Sequence, residues 1–314
     1  MPDKRLIALG AAVLAASVVF LFWGGAWRSA YVLELRGIKL GGLICVGTAV
    51  GIATVLFQTL SNNRILTPSI MGFDALFILM KTLVVFASAG VAVRTMPTEL
   101  VFLTDTLFMI GATLVIFLLV LRRARQDIQL LILVGVIFGL LFRTLAGFMQ
   151  RLLDPSEFAM VQANMFAQFS GIDRQALFIA ICLMILVVFW LASKHLVLDV
   201  MALGRGPAST LGVSYDRLQV HMLIAIATLV AVSTALVGPL AFLGLLVTAL
   251  THSLMQSHRH ALQLPGAALM GCLVLILGQT LFERILKLDS TLAVIIEFCG
   301  GLLFLALLAK GKVK

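Results

Sequence analysis

The sequence predicts an all-α fold of about ten transmembrane helices, with both ends of the chain on the same, basic side. Three observations carry that prediction. Apolar residues make up 61% of the 314-residue chain and charged residues only 12%, roughly half the charged share of an ordinary soluble domain. The apolar residues gather into runs of about 20, the length of helix that crosses roughly 30 Å of hydrocarbon. The basic residues fall unevenly between alternate loops. The runs lack the two-residue alternation of barrel strands, and a helix satisfies its own backbone groups in lipid. No soluble domain interrupts them, so residues 1–314 read as one transmembrane domain.

In chain order the expected spans are Leu6–Trp27, Leu40–Leu60, Ser69–Val93, Glu99–Leu121, Gln129–Phe148, Ala176–Ser193, Leu218–Val237, Leu240–Met255, Leu264–Leu286 and Thr291–Ala309. The first is too long for the core of a signal peptide, and W-G-G-A-W is a poor cleavage site, so it reads as a retained span. Gly47 and Gly51 in the second, Gly135 and Gly139 in the fifth, and Gly300 and Gly301 in the tenth permit close helix approach. Asp154-Pro155-Ser156, in the long link after the fifth span, starts a short surface helix with proline at its first position. The eighth span is short and follows the seventh through a tight Gly238-Pro239 turn.

The charges orient this map. With the N-terminus inside, thirteen basic residues are cytoplasmic: Lys4, Arg5, Arg64, Arg122, Arg123, Arg125, Lys194, Arg205, Arg217, Arg259, Lys310, Lys312 and Lys314. Eight are outside: Arg28, Arg36, Lys39, Arg94, Arg151, Arg174, Arg284 and Lys287. The excess inside follows the positive-inside rule, and it explains the net charge of +9 without nucleic acid. The polar loop from Leu196 to Arg217 then lies in the cytoplasm, a Gly-punctuated, weakly amphipathic segment whose form implies a partner there.

Asp74, Lys81, Arg143 and Glu297 fall inside spans, where each charge costs about 2.5–3.5 kcal/mol on insertion scales and must face protein or water. Asp74 and Lys81 lie seven apart, hence on one face but two turns apart. Two readings stand: a polar lining for a substrate route, or pairing between helices, for instance Arg143 with Glu297. His221 reads as an interfacial or packing residue. His252, His258 and His260 share a cytoplasmic loop, where a metal site is the minor reading. Cys45, Cys182, Cys272 and Cys299 sit in apolar runs without C-x-x-C spacing and read as packing residues. No P-loop, H-E-x-x-H or G-x-S-x-G arrangement occurs, so the sequence offers no ATPase or hydrolase chemistry of its own.

Four segments together resemble the permeases of iron-siderophore and vitamin B12 importers, the FecCD/BtuC-like family of type II ABC importers. Q-T-L-S-N-N-R-I-L-T-P-S-I-M-G is similar to the family's Q-x-x-x-x-N-P-L-A-x-P-x-x-x-G: Gln58, Asn63, Pro68 and Gly72 match, and Arg64 replaces the proline. Gly238 to Leu245, with Pro239 and Gly244, resembles G-P-I-x-F-V-G-L. His258 to Gly271 resembles H-R-x-L-L-P-x-x-x-x-x-G with about two extra residues. Leu203, Gly204, Ala208, Leu211 and Gly212 fall on L-x-L-G-x-x-x-A-x-x-L-G-V.

The resemblance implies a bacterial inner-membrane permease that moves a ferric-siderophore by alternating access. It pairs with a second permease, a heterodimer in preference to a homodimer. ATP is bound and hydrolysed on two separate ATPase subunits. A periplasmic or lipid-anchored binding protein delivers substrate. This chain carries no cofactor or metal and is not itself an enzyme. Residues 196–217 become the coupling loop, with Leu203, Ala208 and Leu211 as its apolar face and Gly204 and Gly212 ending or bending short helices. Arg36, Lys39 and Arg284 become docking positions for the binding protein. Arg143, which stands where the family has small or neutral residues, joins Asp74 and Glu297 as a pathway candidate and suggests an anionic, catecholate-type cargo. Importers of vitamin B12, haem or another metal chelate are the nearest alternative. An ion-coupled secondary transporter is the alternative from another class.

Overall fold

The apolar runs become helices because only a helix pairs all its backbone groups within one segment in lipid. A computed structural model describes residues 2–24, 29–91, 95–123, 128–286 and 292–309. Among the described residues there are thirteen α-helices. They are α1 (Pro2–Phe22), α2 (Ala30–Ser61), α3 (Phe73–Ser88), α4 (Thr98–Arg123), α5 (Ile128–Gln150), α6 (Pro155–Ala163) and α7 (Arg174–Ala192). The rest are α8 (His195–Met201), α9 (Arg205–Thr210), α10 (Tyr215–Val237), α11 (Leu243–Met255), α12 (His260–Thr280) and α13 (Leu292–Ala309). A 3₁₀ turn, Pro68–Met71, precedes α3, and a π turn, Leu281–Leu286, continues α12. Seven helices (α1, α2, α4, α5, α7, α10 and α12) are long and apolar enough to cross a membrane. The shorter α3, α11 and α13 stand where the other three of the ten expected spans were placed.

The core is built on α2, which packs against α10, α11 and α12; α3 lies on α5, and α1 on α12. Glycine permits the closest of these contacts. A Cβ at Gly47 would meet the Cys272 amide nitrogen at 2.6 Å, one at Gly51 the Ala267 carbonyl at 2.5 Å, and one at Gly271 the Gly47 carbonyl at 2.2 Å. Two small-x-x-x-small faces therefore meet backbone to backbone, α2 against α12.

Three boundaries differ from the sequence reading. First, α2 begins at Ala30 rather than Leu40, which puts Arg36 and Lys39 on the helix instead of in a loop. Their charges are accommodated by partners: Arg36 Nη1 donates to the carbonyls of Leu21 and Trp23, at the end of α1, at 2.8 and 2.7 Å. Second, the expected span Ser69–Val93 is broken, because Gly72 takes φ +87° between the 3₁₀ turn and α3. Third, α12 starts at His260, four residues before Leu264.

Residues that the charge map assigned to one side collect at one end of the molecule. Arg5 Nη1 donates to the Leu254 carbonyl and to Gln256 Oε1, at 2.6 and 3.0 Å, and Asp199 meets His260 at the same end. Arg36, Lys39, Ser170 and Arg284 line one cleft at the opposite end. The helix expected at Asp154 is α6, with Pro155 first and the Glu157 carboxylate accepting from the Asp154 amide at 3.4 Å. Most of W-G-G-A-W, the Asp289-Ser290-Thr291 segment, and the basic positions Arg28, Arg94, Arg125, Lys287, Lys310, Lys312 and Lys314 lie outside the described residues.

Candidate functional site

Two non-helical motifs meet inside the helix bundle. The turn from Gln58 to Gly72 is shaped by its own polar side chains: Gln58 Nε2 donates to the Arg64 carbonyl at 2.6 Å, and Asn63 Oδ1 accepts from the Ile65 amide at 3.0 Å. The turn nests on α5, where a Cβ on Gly72 would lie 2.5 Å from the Gly139 Cα. The second motif breaks the chain between α10 and α11 at Gly238 (φ +103°) and Pro239, and seats Gly244 against Thr54 Oγ1 of α2. Between them is a void of about 20 Å³, enough for one water, with Thr54, Ser69, Asp74, Ser233 and Thr234 among its lining residues.

Asp74 is buried in the first turn of α3 and shares the lining of this void with Ser69. Of the three pathway candidates, Asp74 lines the junction, while Arg143 is exposed on α5 and Glu297 is half-buried on α13. Among the described residues no ion pair joins Arg143 to Glu297. Arg143 stands on the exposed face of α5, among Leu140, Leu141, Leu145 and Phe148.

Lys81 has a different partner, one that the sequence reading missed. It forms a buried ion pair with Asp105 of α4, and its ammonium lies 5.5 Å from the Phe77 ring centroid. A lone carboxylate inside an apolar run was the available signal, the same one that marked the other four charges. Replacing Lys81 by Met strands a buried carboxylate and should destabilise the chain by about 3–5 kcal/mol, whereas Lys81→Met with Asp105→Leu should recover most of the loss. Thermal unfolding of the detergent-purified variants measures both; equal stability of the two variants would contradict a pair of this kind.

At the outer end, Arg36, Lys39 and Arg284 line a cleft of about 310 Å³ together with Glu283, another residue not singled out from sequence. Lys39 pairs with Glu283 and donates to Ser170 Oγ at 3.1 Å. Arg284 lies 3.9 Å from the same Glu283 carboxylate. Among the described residues, the Nε atoms of Arg36 and Arg284 are buried without a hydrogen-bond partner. The cleft is basic and only partly neutralised by Glu283.

At the inner end, residues 196–217 hold all but the first residue of α8, all of α9 and the first turn of α10. Gly204 (φ +92°) starts α9, and Gly212 (φ +82°) ends it. The Gly212 amide donates to the Ser209 carbonyl at 3.1 Å and the Val213 amide to the Ala208 carbonyl at 3.0 Å, a Schellman closure that needs the left-handed conformation. Leu203 and Leu211 project outward, 59% and 63% exposed, but Ala208 is fully buried. The expected three-residue face is therefore two leucines, with Ala208 packed inward beneath them. Arg205 pairs with Asp216 at 3.0 Å and joins α9 to α10.

The three histidines of the α11–α12 region turn to separate partners. His252 meets Gln58 Oε1 at 3.3 Å, His258 meets Arg64 at 3.2 Å, and His260 meets Asp199 and Thr59. Among the described residues, no group of three or more His, Cys, Asp or Glu gathers to hold a metal ion. The His221 ring stacks on Trp190, centroids 6.1 Å apart, in a packing role.

Broken helices meeting at a polar junction in the membrane, between a charged outer cleft and an inner helical loop, define a multi-pass membrane transport protein. The chain belongs to the FecCD transport family, whose model matches residues 6–310. It is 38% identical over 309 residues to the petrobactin import system permease protein YclO of Bacillus subtilis (strain 168), covering 98% of this chain and 97% of that protein. It is 30% identical over 281 residues to the petrobactin import system permease protein FatC of Bacillus anthracis, covering 90% and 79%. The vitamin B12 import system permease protein BtuC of Serratia proteamaculans (strain 568) is 28% identical over 325 residues, covering 99% and 94%. A solved metal-chelate type ABC transporter in an inward-facing conformation has the same fold: TM-score 0.86 at 21% identity, over 99% of this chain and 100% of that one.

Proposed function

We propose that this chain is the permease subunit of an ABC importer that carries an anionic ferric-siderophore across the bacterial inner membrane by alternating access. The observation that carries the reading is the near full-length similarity to two petrobactin permeases, and the geometry is consistent with it. Arg143, on an otherwise apolar exposed helix face, must meet water or a partner in the assembled membrane protein. A second permease packed across α5 would enclose it with Asp74 and Glu297 along a central route. The partner is a different chain in preference to a second copy. Residues 196–217 are the coupling loop, and two separate ATPase subunits dock on Leu203 and Leu211. The basic outer cleft takes acidic side chains of a substrate-binding protein, periplasmic or lipid-anchored. ATP is held on the ATPase partners, and this chain needs no cofactor of its own.

Co-purification tests the assembly: an ATPase and a second permease should come with this chain, and uptake should need ATP. A chain that transports alone, driven by proton-motive force, would replace this reading with the secondary transporter. The cargo has its own test. Arg143→Ala should lower uptake of an anionic ferric-siderophore by about tenfold and leave a neutral ferric chelate nearly untouched, because a charge focused in a low-dielectric route acts on charge. Equal loss for both, or no loss, would exclude that role.

A further inference from the structure

The inner loop is tied to two transmembrane helices through one residue that its exposed leucines do not reveal. Asp199 lies on α8 between Leu198 and Met201, both only 1% exposed, so α8 is held against the helix ends. Its Oδ1 accepts from the His260 backbone amide at 2.7 Å and from His260 Nδ1, also at 2.7 Å. The first contact caps α12 from 61 residues away: a carboxylate satisfies an amide at the helix N-terminus, where the helix dipole favours negative charge. The second holds the His260 side chain, which is 4% exposed. The other ring nitrogen, Nε2, meets Thr59 Oγ1 in the last turn of α2 at 2.8 Å.

The neighbouring residue, Gln58, ties that same turn to α11 through Thr248 Oγ1 at 3.0 Å. Along α2, Thr54 and Val50 line the pocket around Asp74. From Thr59 to Thr54 is five residues of rigid helix, about 7.5 Å. By contrast, α9 packs mainly on α8 and α10 among the described residues. Displacement of the loop therefore has two bonded routes inward, one through Arg205 and Asp216 into α10, and one through α8 and Asp199 into α12 and α2.

We propose that Asp199, by capping α12 and holding the His260 ring against Thr59, is the positioning residue that makes the inner loop move the cytoplasmic ends of α12 and α2 as one body. The stroke then reaches the Asp74 junction along α2. This rests on the coupling role assigned to residues 196–217 in the preceding section. A bond chain between two sites shows only that they are joined, so the test must read coupling itself.

The experiment uses the full complex in proteoliposomes with radio-iron-loaded petrobactin, and measures substrate moved per ATP hydrolysed. Asp199→Ala should keep ATPase subunits bound and hydrolysing while the transport ratio falls about fivefold or more. Asp199→Asn, which keeps an accepting oxygen, should restore most of the ratio. His260→Ala should match Asp199→Ala, and the double variant should lose no more than either, as expected of residues acting through one contact. Thr59→Val, which removes only the hydroxyl, should lower the ratio by a smaller factor and decides the matter if Asp199→Ala does not fold. An unchanged ratio in these variants, or loss of ATPase binding in Asp199→Ala, overturns the tie while leaving the importer reading intact. A wild-type chain that moves the chelate without ATPase subunits overturns both.

Discussion

Gly271→Val should abolish stable folding of the chain. The new side chain would start 2.2 Å from the Gly47 carbonyl, and the obstacle is backbone of a helix that is itself packed on α10 and α11. A flexible side chain can give way; two helix backbones cannot separate without opening the core on both sides of α2. Overpacking in a filled core costs typically about 1–3 kcal/mol, and backbone obstruction belongs at or above the top of that range. Gly111→Ala is the control, since nothing lies within 4 Å of its added carbon. It should be neutral or stabilise by about 0.4–1 kcal/mol through reduced freedom of the unfolded chain. Thermal unfolding in detergent, read by loss of helical circular dichroism, compares them. A Gly271→Val chain with wild-type stability would mean that α2 and α12 do not meet as described.

Leu203→Asp combined with Leu211→Asp should leave the chain folded and membrane-inserted but without ATPase subunits. Both leucines are more than half exposed and contribute little to the fold, so their replacement costs little within the chain. At an interface the same change removes two apolar anchors and buries two charges, and loss of one hot-spot residue alone reaches about 2 kcal/mol or more. Co-purification should fall at least tenfold and ATP-driven uptake should vanish. Ala208→Asp is a different experiment: Ala208 is wholly buried, so that variant should disturb α9 itself and show it as lowered thermal stability. Retained ATPase binding in the double-leucine variant would move the docking site elsewhere.

Much of the site is legible in the sequence, because certain residues carry a conformational demand wherever they occur. Gly238 with Pro239 marks a break in an apolar run, and it is one, with Gly238 at positive φ; the break at Gly72 falls inside an expected span and only the fold reveals it. Gly204 starts and Gly212 ends the short inner helix α9 for the same reason. Charges in apolar runs mark places where protein or water must be found, which flagged Asp74, Lys81, Arg143 and Glu297. Asp105 carried the same signal and was passed over. Glu283 and Asp199 were not legible, since each lies near a helix end where a carboxylate is ordinary. Their importance comes from Lys39 and His260, distant in the chain and adjacent only after folding.

Composition and run length alone set the class of this protein, because hydrocarbon thickness and unsatisfied backbone groups leave a single solution for such runs. Basic residues in alternate loops set its orientation, a bias that needs no tertiary contact. Partner choice belonged to the tertiary structure. Lys81 takes Asp105 rather than Asp74, Lys39 takes Glu283, Arg36 caps α1, and Ala208 turns inward. The physical reason is common to all of these. A buried charge or donor must be satisfied by whatever helix packing brings within about 3 Å, and that packing is decided by where two glycine-lined helices let their backbones touch.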